Sequence, residues 1–239
     1  MKIVAVNGSH KGETGNTNIM VNAFLKGAEK AGAEIVNIIL AKKDLKPCRA
    51  CKACWFNTPG QCIIKDDMTS ILQLLKDADV WIWATPLYFD NISSILKIFI
   101  ERLMVIGSPY WEKDNAGECR HLTTRTIPKL IMISNCGFPE RSHFQVISHW
   151  INRHARNFGT ELIGEIYTSE GALLSTQVAE LHPIISNYLQ VLETAGKEVV
   201  ISTQLSEKTK KLLEQKFIPD EIYTQEAKRY VDSILINKP

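Results

Sequence analysis

The alternation of short apolar runs with stretches of helical periodicity constrains the fold most. Five apolar, mainly β-branched runs predict buried strands: Lys2–Val6, Glu34–Leu40, Asp79–Ala84, Lys129–Ser134 and Glu161–Ser169. Between these runs the apolar residues recur at helical spacing, which predicts helices at Asn18–Ala31, Asp66–Lys76, Ile92–Ile106, Ser142–Phe158 and Ser175–Val200. Strands that alternate with helices favour an α/β sandwich, because each helix carries the chain back to start a parallel neighbouring strand.

Two further helices are predicted beyond this pattern, at Ser206–Gln215 and Asp220–Ile236. The second follows Pro219, and its apolar positions are Ile222, Ala227, Val231 and Ile234. Either these helices cover the core, or they form a contact between subunits. The sequence has no internal repeat or low-complexity segment, so we expect residues 1–239 to form one domain. Within it we distinguish a cysteine-rich loop at 47–62 and a C-terminal helical extension at about 204–239.

Composition and charge exclude several classes of partner. Apolar residues make up 45% of the chain and charged residues 23%, and the net charge of +2 comes without a basic run. We therefore expect no nucleic-acid partner. The first ten residues lack a signal-peptide pattern, and no apolar run is long enough to cross a bilayer. A cytoplasmic protein without a membrane partner is the expectation.

The loop after the first predicted strand has the composition of a phosphate site. Residues 7–18, NGSHKGETGNTN, lead directly into a helix, whose N-terminus favours an anion. Its neutral donors and its one cation are Ser9, Thr14, Asn16, Thr17, Asn18 and Lys11. Neither the nucleotide-triphosphate loop nor the dinucleotide fingerprint is present, so a terminal phosphate monoester fits best. The alternative is an ordinary polar loop in which Asn16 or Thr17 caps the helix.

Two further strand ends carry loops suited to a ligand. The first presents Pro86, Leu87, Tyr88 and Phe89 together, a flat apolar surface with backbone amides for a planar heterocycle. Alternatively, Tyr88 and Phe89 cover the core. The second follows the fourth strand, where Asn135 and Cys136 precede Gly137. In open α/β sheets ligands bind at the carboxyl ends of strands, so the three loops imply a phosphate at one end of a site and a flat ring at the other.

Four of the six cysteines lie within the segment 47–62, at Cys48, Cys51, Cys54 and Cys62. In the cytoplasm clustered thiols bind metal more often than they form disulfides. Four thiolates suit a 4Fe–4S cluster or a structural zinc, and a single C-x-x-C-x-x-C spacing favours the cluster. Trp55 and Phe56 are placed to shield such a cluster from water. The third alternative is that the cysteines are free and simply pack as small apolar residues.

Together these motifs resemble the flavodoxin-like NADPH-dependent FMN reductases, and within them the iron–sulfur flavoproteins. The matching residues are Gly8, Ser9, Lys11, Gly15, Asn16 and Thr17 in the first loop, Thr85, Pro86 and Tyr88 in the second, Lys97, Phe99, Glu101 and Arg102 in the following helix, and Cys48, Cys51, Cys54, Cys62, Asp66, Asp67 and Met68 around the cysteine loop. The resemblance covers roughly residues 1–170. It implies a doubly wound, five-stranded parallel sheet with helices on both faces.

The resemblance also implies FMN bound at a homodimer or homotetramer interface, with the phosphate on Ser9–Asn18 and the ring against Pro86–Asn91 and the turn Ser134–Phe138. The expected FMN-binding residues are Ser9, Lys11, Gly15, Asn16, Thr17, Asn18, Pro86, Leu87, Tyr88, Phe89, Asn91, Asn135 and Gly137. The expected cluster ligands are Cys48, Cys51, Cys54 and Cys62.

These residues lead to one main hypothesis of function and two rivals. The main one is a redox flavoprotein that passes electrons from NAD(P)H or ferredoxin to a small-molecule or protein acceptor through FMN and a 4Fe–4S cluster. No side chain need act as acid or base, because the cofactors carry the chemistry, and no catalytic residue is predicted. The first rival is an NAD(P)H-dependent FMN or quinone reductase without a cluster. The second is a non-enzymatic carrier or a zinc-stapled interaction module.

Overall fold

The structure is a computed structural model that describes residues 1–236. The strands in this range are β1 (Lys2–Asn7), β2 (Glu34–Ile39), β3 (Val80–Pro86), β4 (Gly107–Lys113), β5 (Cys119–Thr123), β6 (Lys129–Asn135) and β7 (Leu162–Thr168). The helices in the same range are α1 (Asn16–Lys30), α2 (Ala53–Phe56), α3 (Met68–Leu75), α4 (Ser94–Arg102), α5 (Gln145–Phe158), α6 (His182–Ser202), α7 (Glu207–Leu213) and α8 (Asp220–Ile236).

Five strands form a parallel sheet in the order β2-β1-β3-β6-β7. In the centre of the sheet Val4 of β1 pairs with Val36 of β2 on one side and with Trp81 of β3 on the other. The chain thus winds outward from β1 in one direction and then, from β3, in the other. This is the doubly wound order in which the switch point lies between β1 and β3. The predicted fold class is confirmed.

Apolar side chains cover both faces of the sheet, which is why the central strands are apolar along most of their length. On one face Phe24 of α1 and Leu192 of α6 are fully buried. On the other, Ile71 of α3, Phe99 of α4 and Ile147 of α5 are fully buried. Parallel strands buried on both faces need such continuous apolar runs, and this explains why the strands are visible in the sequence.

The helix predicted at Ser175–Val200 begins later than its apolar spacing indicates. α6 starts at His182, and Pro183 occupies its first turn. Proline is tolerated there because the first N–H groups of a helix have no intrahelical acceptor. The preceding residues instead form short 3₁₀ turns at Gly171–Ser175 and Ala179–Leu181. Within residues 1–236 no helix is both long and apolar enough to cross a membrane.

A β-hairpin that the sequence does not predict follows α4. After Arg102 the chain makes a 3₁₀ turn at Leu103–Ile106, where the sequence predicts a continuing helix, and then enters β4. β4 pairs antiparallel with β5 and forms a separate two-stranded sheet. Most residues of both strands are exposed or half-buried, so the pair lacks the apolar run that reveals a core strand.

The two C-terminal helices differ in what they bury. α7 buries Thr209 and Leu213, and it therefore covers part of the core. α8 buries only Tyr223, and apolar residues such as Ile222, Val231 and Leu235 remain exposed. Of the two interpretations, covering the core thus fits α7, whereas α8 contributes a single side chain to the interior.

Candidate functional site

The loops after β1, β3 and β6 meet at the carboxyl edge of the sheet. The Gly8 N–H donates to the Ala84 carbonyl at 2.7 Å, and the Leu87 N–H donates to the Asn135 carbonyl at 2.8 Å. The hydroxyl of Ser93, which caps α4, donates to the Gly8 carbonyl at 2.6 Å. The structure therefore brings together the three segments that the sequence analysis singled out.

The first loop leaves backbone N–H groups without an acceptor on both sides of Gly15, beside the N-terminus of α1. Among the described residues, nothing accepts a hydrogen bond from the N–H groups of His10, Lys11, Asn16 and Thr17. Gly15 occupies the cap position and has no side chain to offer these donors. The alternative in which Asn16 or Thr17 caps the helix is therefore wrong. Free donors together with the positive end of the helix dipole favour an anion at this point.

Glycine is required at the cap position because the loop folds tightly on itself. A Cβ atom on Gly15 would lie 2.4 Å from the Ser9 hydroxyl oxygen, well inside van der Waals contact. Ser9 itself is buried, whereas Lys11 is exposed at the start of the 3₁₀ turn Gly12–Thr14. Glu13 pairs with Lys42 at 2.6 Å, so the carboxylate in the loop is partly neutralised.

Thr17 and Asn18, two predicted ligand residues, are buried in hydrogen bonds that hold the site together. The Asn135 amide donates to the Thr17 hydroxyl at 2.8 Å and thereby joins the third loop to the first. The Asn18 side-chain oxygen accepts from Asn7 at 3.2 Å and from Asn37 at 2.9 Å. The Asn18 amide donates to a loop carbonyl. Asn18 thus supports the loop from behind, while the Thr17 hydroxyl still has its proton to donate.

The second loop presents aromatic side chains to solvent. Tyr88 and Asn91 exchange two backbone hydrogen bonds of 3.0 Å, and the residues between them, Phe89 and Asp90, have φ of 50° and 56°. Left-handed backbone is uncommon for such residues, and it turns their side chains outward. Phe89 is completely exposed and Tyr88 is about half exposed, so the alternative in which both cover the core is wrong. The Tyr88 ring lies 6.0 Å from that of His10, and the exposed Tyr88 and Phe89 rings together form a surface suited to a flat ligand.

The third loop carries an open glycine and an exposed aromatic ring. Nothing lies within 4 Å of the position a Cβ on Gly137 would take. Phe138 is exposed and stacks on His143 with ring centroids 4.7 Å apart. His143 Nδ1 lies 2.9 Å from a carboxylate oxygen of Asp90 in the second loop. His143 therefore connects the second and third loops, a role that the sequence does not predict because its partner Asp90 lies 53 positions away in the chain.

The cysteine loop lies between β2 and α3, and its thiols are neighbours without forming a closed metal site. Cys51 is exposed, whereas Cys48, Cys54 and Cys62 are half-buried. Burial raises the pKa of Cys54, and the nearby Cys62, Cys48 and Cys51 raise this pKa further. Within residues 1–236, no three His, Cys, Asp or Glu side chains come close enough together to hold a metal ion. The four thiols are thus gathered around Cys54 but do not converge on one point.

The aromatic residues of the cysteine loop behave differently from each other. The Trp55 indole N–H donates to the Met104 carbonyl at 2.9 Å, and its ring lies 5.0 Å from that of His121 in the hairpin. Phe56 is exposed and points to solvent. Of the two aromatic residues, only Trp55 therefore packs against the rest of the protein and covers part of the cysteine loop. Of the remaining cysteines, Cys119 is exposed in β5 and Cys136 is buried in the third loop.

A buried ion pair joins the two ends of the cysteine loop to α4. Arg102 donates to both carboxylate oxygens of Asp66, at 2.5 and 3.0 Å, and to the Lys46 carbonyl at 2.7 Å. The exposed fractions of the Arg102 and Asp66 side chains are 1% and 0%. A fourth contact runs from Arg102 Nη2 to Cys62 Sγ at 3.5 Å. A cation thus lies against one of the four thiols.

The comparisons with known proteins agree with this arrangement. Residues 1–117 match the family described as NADPH-dependent FMN reductase. The chain is 38% identical over 102 residues to an iron–sulfur flavoprotein of Methanocaldococcus jannaschii, across 43% of this chain and 51% of the relative. It is 33% identical over 107 residues to an iron–sulfur flavoprotein of Archaeoglobus fulgidus, across 45% and 47%. The chain therefore spans about half the length of the curated relatives it matches.

Solved structures of similar fold cover more of the chain. An FMN-dependent NADH-azoreductase from Bacillus anthracis in complex with FMN superimposes with a TM-score of 0.60 and 17% identity, over 83% of this chain and 99% of that one. An NAD(P)H:quinone oxidoreductase from Methanothermobacter marburgensis gives 0.57 and 13%, over 83% and 96%. At such identities the likeness concerns the fold alone. The resemblance to flavodoxin-like FMN reductases is confirmed.

Proposed function

We propose that this chain, whose residues 1–117 match the NADPH-dependent FMN reductase family, is an FMN-dependent oxidoreductase of the iron–sulfur flavoprotein type. One observation carries the proposal: backbone N–H groups without an acceptor lie on both sides of Gly15, beside the N-terminus of α1, on the same sheet edge as the exposed rings of the second loop. Donors for a phosphate and a flat apolar surface for a ring are what a flavin mononucleotide requires.

The phosphate of FMN would be held by the first loop. The free N–H groups of His10, Lys11, Asn16 and Thr17 offer four donors to its oxygens, and the Thr17 hydroxyl offers another. The dipole of α1 adds favourable electrostatics, and Lys11 is the nearby cation of the loop. Charge-assisted hydrogen bonds of this kind contribute roughly 1.5–3 kcal/mol each. No metal ion is needed to neutralise a monoester in such a site.

The ring of FMN would lie against Pro86–Asn91 and Ser134–Phe138. The open space at Gly137 and the exposed rings of Tyr88 and Phe89 support this placement, as does the bridge between His143 and Asp90, which holds the two loops at a fixed separation. When bound, FMN supplies a ring that accepts a pair of electrons and releases them one at a time. The side chains of this chain bind and orient that ring, and we assign none of them an acid–base role.

The cysteine loop would hold a 4Fe–4S cluster through Cys48, Cys51, Cys54 and Cys62. Two features support this assignment: the donor set consists of thiols alone, and Arg102 places a positive charge against Cys62. Hydrogen bonds to sulfur and nearby charge are ordinary ways of setting a cluster's potential. Because the thiols do not converge on one point, the cluster-free NAD(P)H-dependent reductase stays as the second candidate.

We further propose that NAD(P)H or ferredoxin is the electron donor, that a small molecule or a protein is the acceptor, and that the protein works in the cytoplasm as a homodimer or homotetramer. In such an oligomer the cluster of one subunit would face the flavin of another. The domain organisation proposed with this function is one flavodoxin-like domain with the helical extension attached.

Two measurements on protein purified without oxygen test the proposal. Fluorescence titration should give an FMN affinity at least about 100-fold above that of riboflavin, because riboflavin lacks the phosphate that two or more charge-assisted bonds would hold. Equal affinities for FMN and riboflavin would contradict the proposed phosphate site. Iron and acid-labile sulfide should each approach about four per chain. Cys51→Ser should lose this iron, whereas the exposed Cys119→Ser, outside the loop, should retain it. If every sample contains flavin but no iron, the cluster proposal is wrong and the cluster-free reductase is the better assignment.

A further inference from the structure

The third loop of the proposed flavin site is held from behind by the segment that follows β7. The Glu170 N–H donates to the Phe138 carbonyl at 2.9 Å, and the Gly171 N–H donates to the Cys136 carbonyl at 2.7 Å. Glu170 adopts φ of 54° and is fully buried. A non-glycine residue held in left-handed backbone at full burial indicates that the surrounding contacts determine this conformation. The position of the third loop thus depends on residues beyond the sheet.

Glu170 also attaches the chain that precedes α8. Its Oε2 atom accepts a hydrogen bond from the Phe217 N–H at 2.7 Å. Burial raises the pKa of the Glu170 carboxyl, and hydrogen bonds from the N–H groups of Phe217 and Ile218 oppose that rise. Lys216 lowers the same pKa and Asp220 raises it. Glu170 therefore contacts the third loop through its backbone and the segment just before α8 through its side chain.

α8 reaches the third loop through one side chain. Tyr223 is 8% exposed and is the only residue of the described part of α8 that is buried. Its hydroxyl donates to the Gly137 carbonyl at 2.6 Å. A helix of 17 residues that buries a single side chain gains little from apolar burial. The hydrogen bond from Tyr223 to Gly137 therefore joins α8 itself to the third loop.

This hydrogen bond determines which way the peptide between Gly137 and Phe138 faces. In a trans peptide the carbonyl and the N–H point in opposite directions, and the described residues contain no cis peptide bond. Because the Gly137 carbonyl points to Tyr223, the Phe138 N–H must point away from α8. Among residues 1–236 nothing accepts a hydrogen bond from this N–H. Gly137, which lacks a side chain, would otherwise allow the peptide to rotate.

We infer that Tyr223 is a positioning residue of the flavin site, which fixes the Gly137–Phe138 peptide so that the Phe138 N–H is available to an acceptor on the bound ring. The inference rests on the proposed function. It makes α8 part of the cofactor site, although α8 lies outside the residues that match the family. Tyr223 acts through the backbone of the third loop and does not touch the cofactor itself.

The test is Tyr223→Phe in the full chain, with Tyr230→Phe as the matched control. Both changes remove one hydroxyl from α8, but Tyr230 is 68% exposed. The FMN dissociation constant is measured by fluorescence at a temperature well below the melting point of each variant, together with the visible absorption bands and the midpoint potential of the bound flavin. Tyr223→Phe should weaken FMN binding about fivefold and shift the absorption bands, whereas Tyr230→Phe should leave both unchanged.

The possible failures are distinct. If Tyr223→Phe lowers the melting temperature but leaves the FMN affinity, absorption bands and potential unchanged, Tyr223 merely attaches α8 and the inference is overturned. If Tyr230→Phe weakens binding equally, the effect belongs to the helix as a whole and the inference also falls. If the wild-type chain binds no FMN, the proposed function fails first and the role of Tyr223 fails with it.

Discussion

Replacing Arg102 with methionine should destabilise the protein strongly, because Asp66 would then be buried without its counter-charge. The contacts and the burial of this ion pair determine how much stability the substitution should cost. Arg102 makes two hydrogen bonds to Asp66 and one to the Lys46 carbonyl, and both charged side chains are essentially inaccessible to water. Removing one partner of a buried pair costs about 3–5 kcal/mol. Against a total stability of about 5–15 kcal/mol, that is a large fraction.

The matched control lies on the same helix. Lys97 and Glu101 of α4 also form an ion pair at 2.5 Å, but their side chains are 51% and 45% exposed. Such exposed pairs contribute about 0–1 kcal/mol, so Lys97→Met should change the free energy of unfolding by less than about 1 kcal/mol. Urea unfolding of flavin-free and metal-free protein measures both changes. A loss for Arg102→Met no larger than that for Lys97→Met would refute the reasoning.

Two further measurements sharpen this prediction. In Arg102→Met with Asp66→Leu both charges are gone, so the double variant should be more stable than Arg102→Met alone. The pH dependence gives the second check. Burial alone would raise the pKa of Asp66, but hydrogen bonds from Arg102 and from backbone N–H groups hold it below its usual 3.8. The pair therefore stabilises the wild-type protein above about pH 4 and loses this contribution as the pH falls further.

Two shorter predictions concern the core. Burial lowers the pKa of His154 from 6.5 to about 4. As the pH falls the unfolded chain therefore takes up this proton first, and the free energy of unfolding should fall by about 3 kcal/mol between pH 6.5 and 4. His154→Gln, which keeps an acceptor for the Trp83 indole N–H, should flatten the pH dependence of the urea midpoint, and an unchanged slope would contradict the assignment. A Cβ on Gly196 would lie 1.9 Å from the Phe24 carbonyl oxygen, so Gly196→Ala should force α1 and α6 apart and lower the free energy of unfolding by at least about 1–3 kcal/mol. Lys197→Ala on the exposed face of α6 should be nearly neutral, and equal melting temperatures for the two variants would contradict the close packing.

The sheet could be predicted from sequence because its strands are buried on both faces. A strand such as β3, in which six of seven positions are buried, must be apolar along nearly its whole length, and no tertiary information is needed to see this. β4 is different, since four of its seven residues are exposed. Its stability depends on pairing with β5, which in turn contacts α5, and on contacts with α2 in the cysteine loop. Nothing in the local pattern of Gly107–Lys113 indicates such partners.

The candidate site likewise has one part that the sequence predicts and one part that it does not. Its three loops were predictable because each follows a buried strand, and the carboxyl ends of parallel strands meet at one edge. The residues that hold these loops in place were not. His143 meets Asp90 across 53 positions of sequence, and Tyr223 meets Gly137 across 86. Such contacts follow from how helices pack on the finished sheet, and a single sequence carries no periodic signal for them.

The cysteine loop bears on the choice among the hypotheses. A zinc-stapled module needs its metal in order to fold, since a small loop without a core cannot otherwise offset its conformational entropy. Here the ends of the loop are connected to α4 by Arg102, and its middle is attached by the bond from Trp55 to the Met104 carbonyl. These contacts use no thiol except Cys62. The loop thus has contacts of its own that hold it to α4, and a structural zinc would duplicate what the ion pair already does. Cys54 and Cys62 also pack against the core, as free cysteines would. The zinc-stapled module is therefore disfavoured, and the iron assay decides between the proposed 4Fe–4S cluster and free thiols.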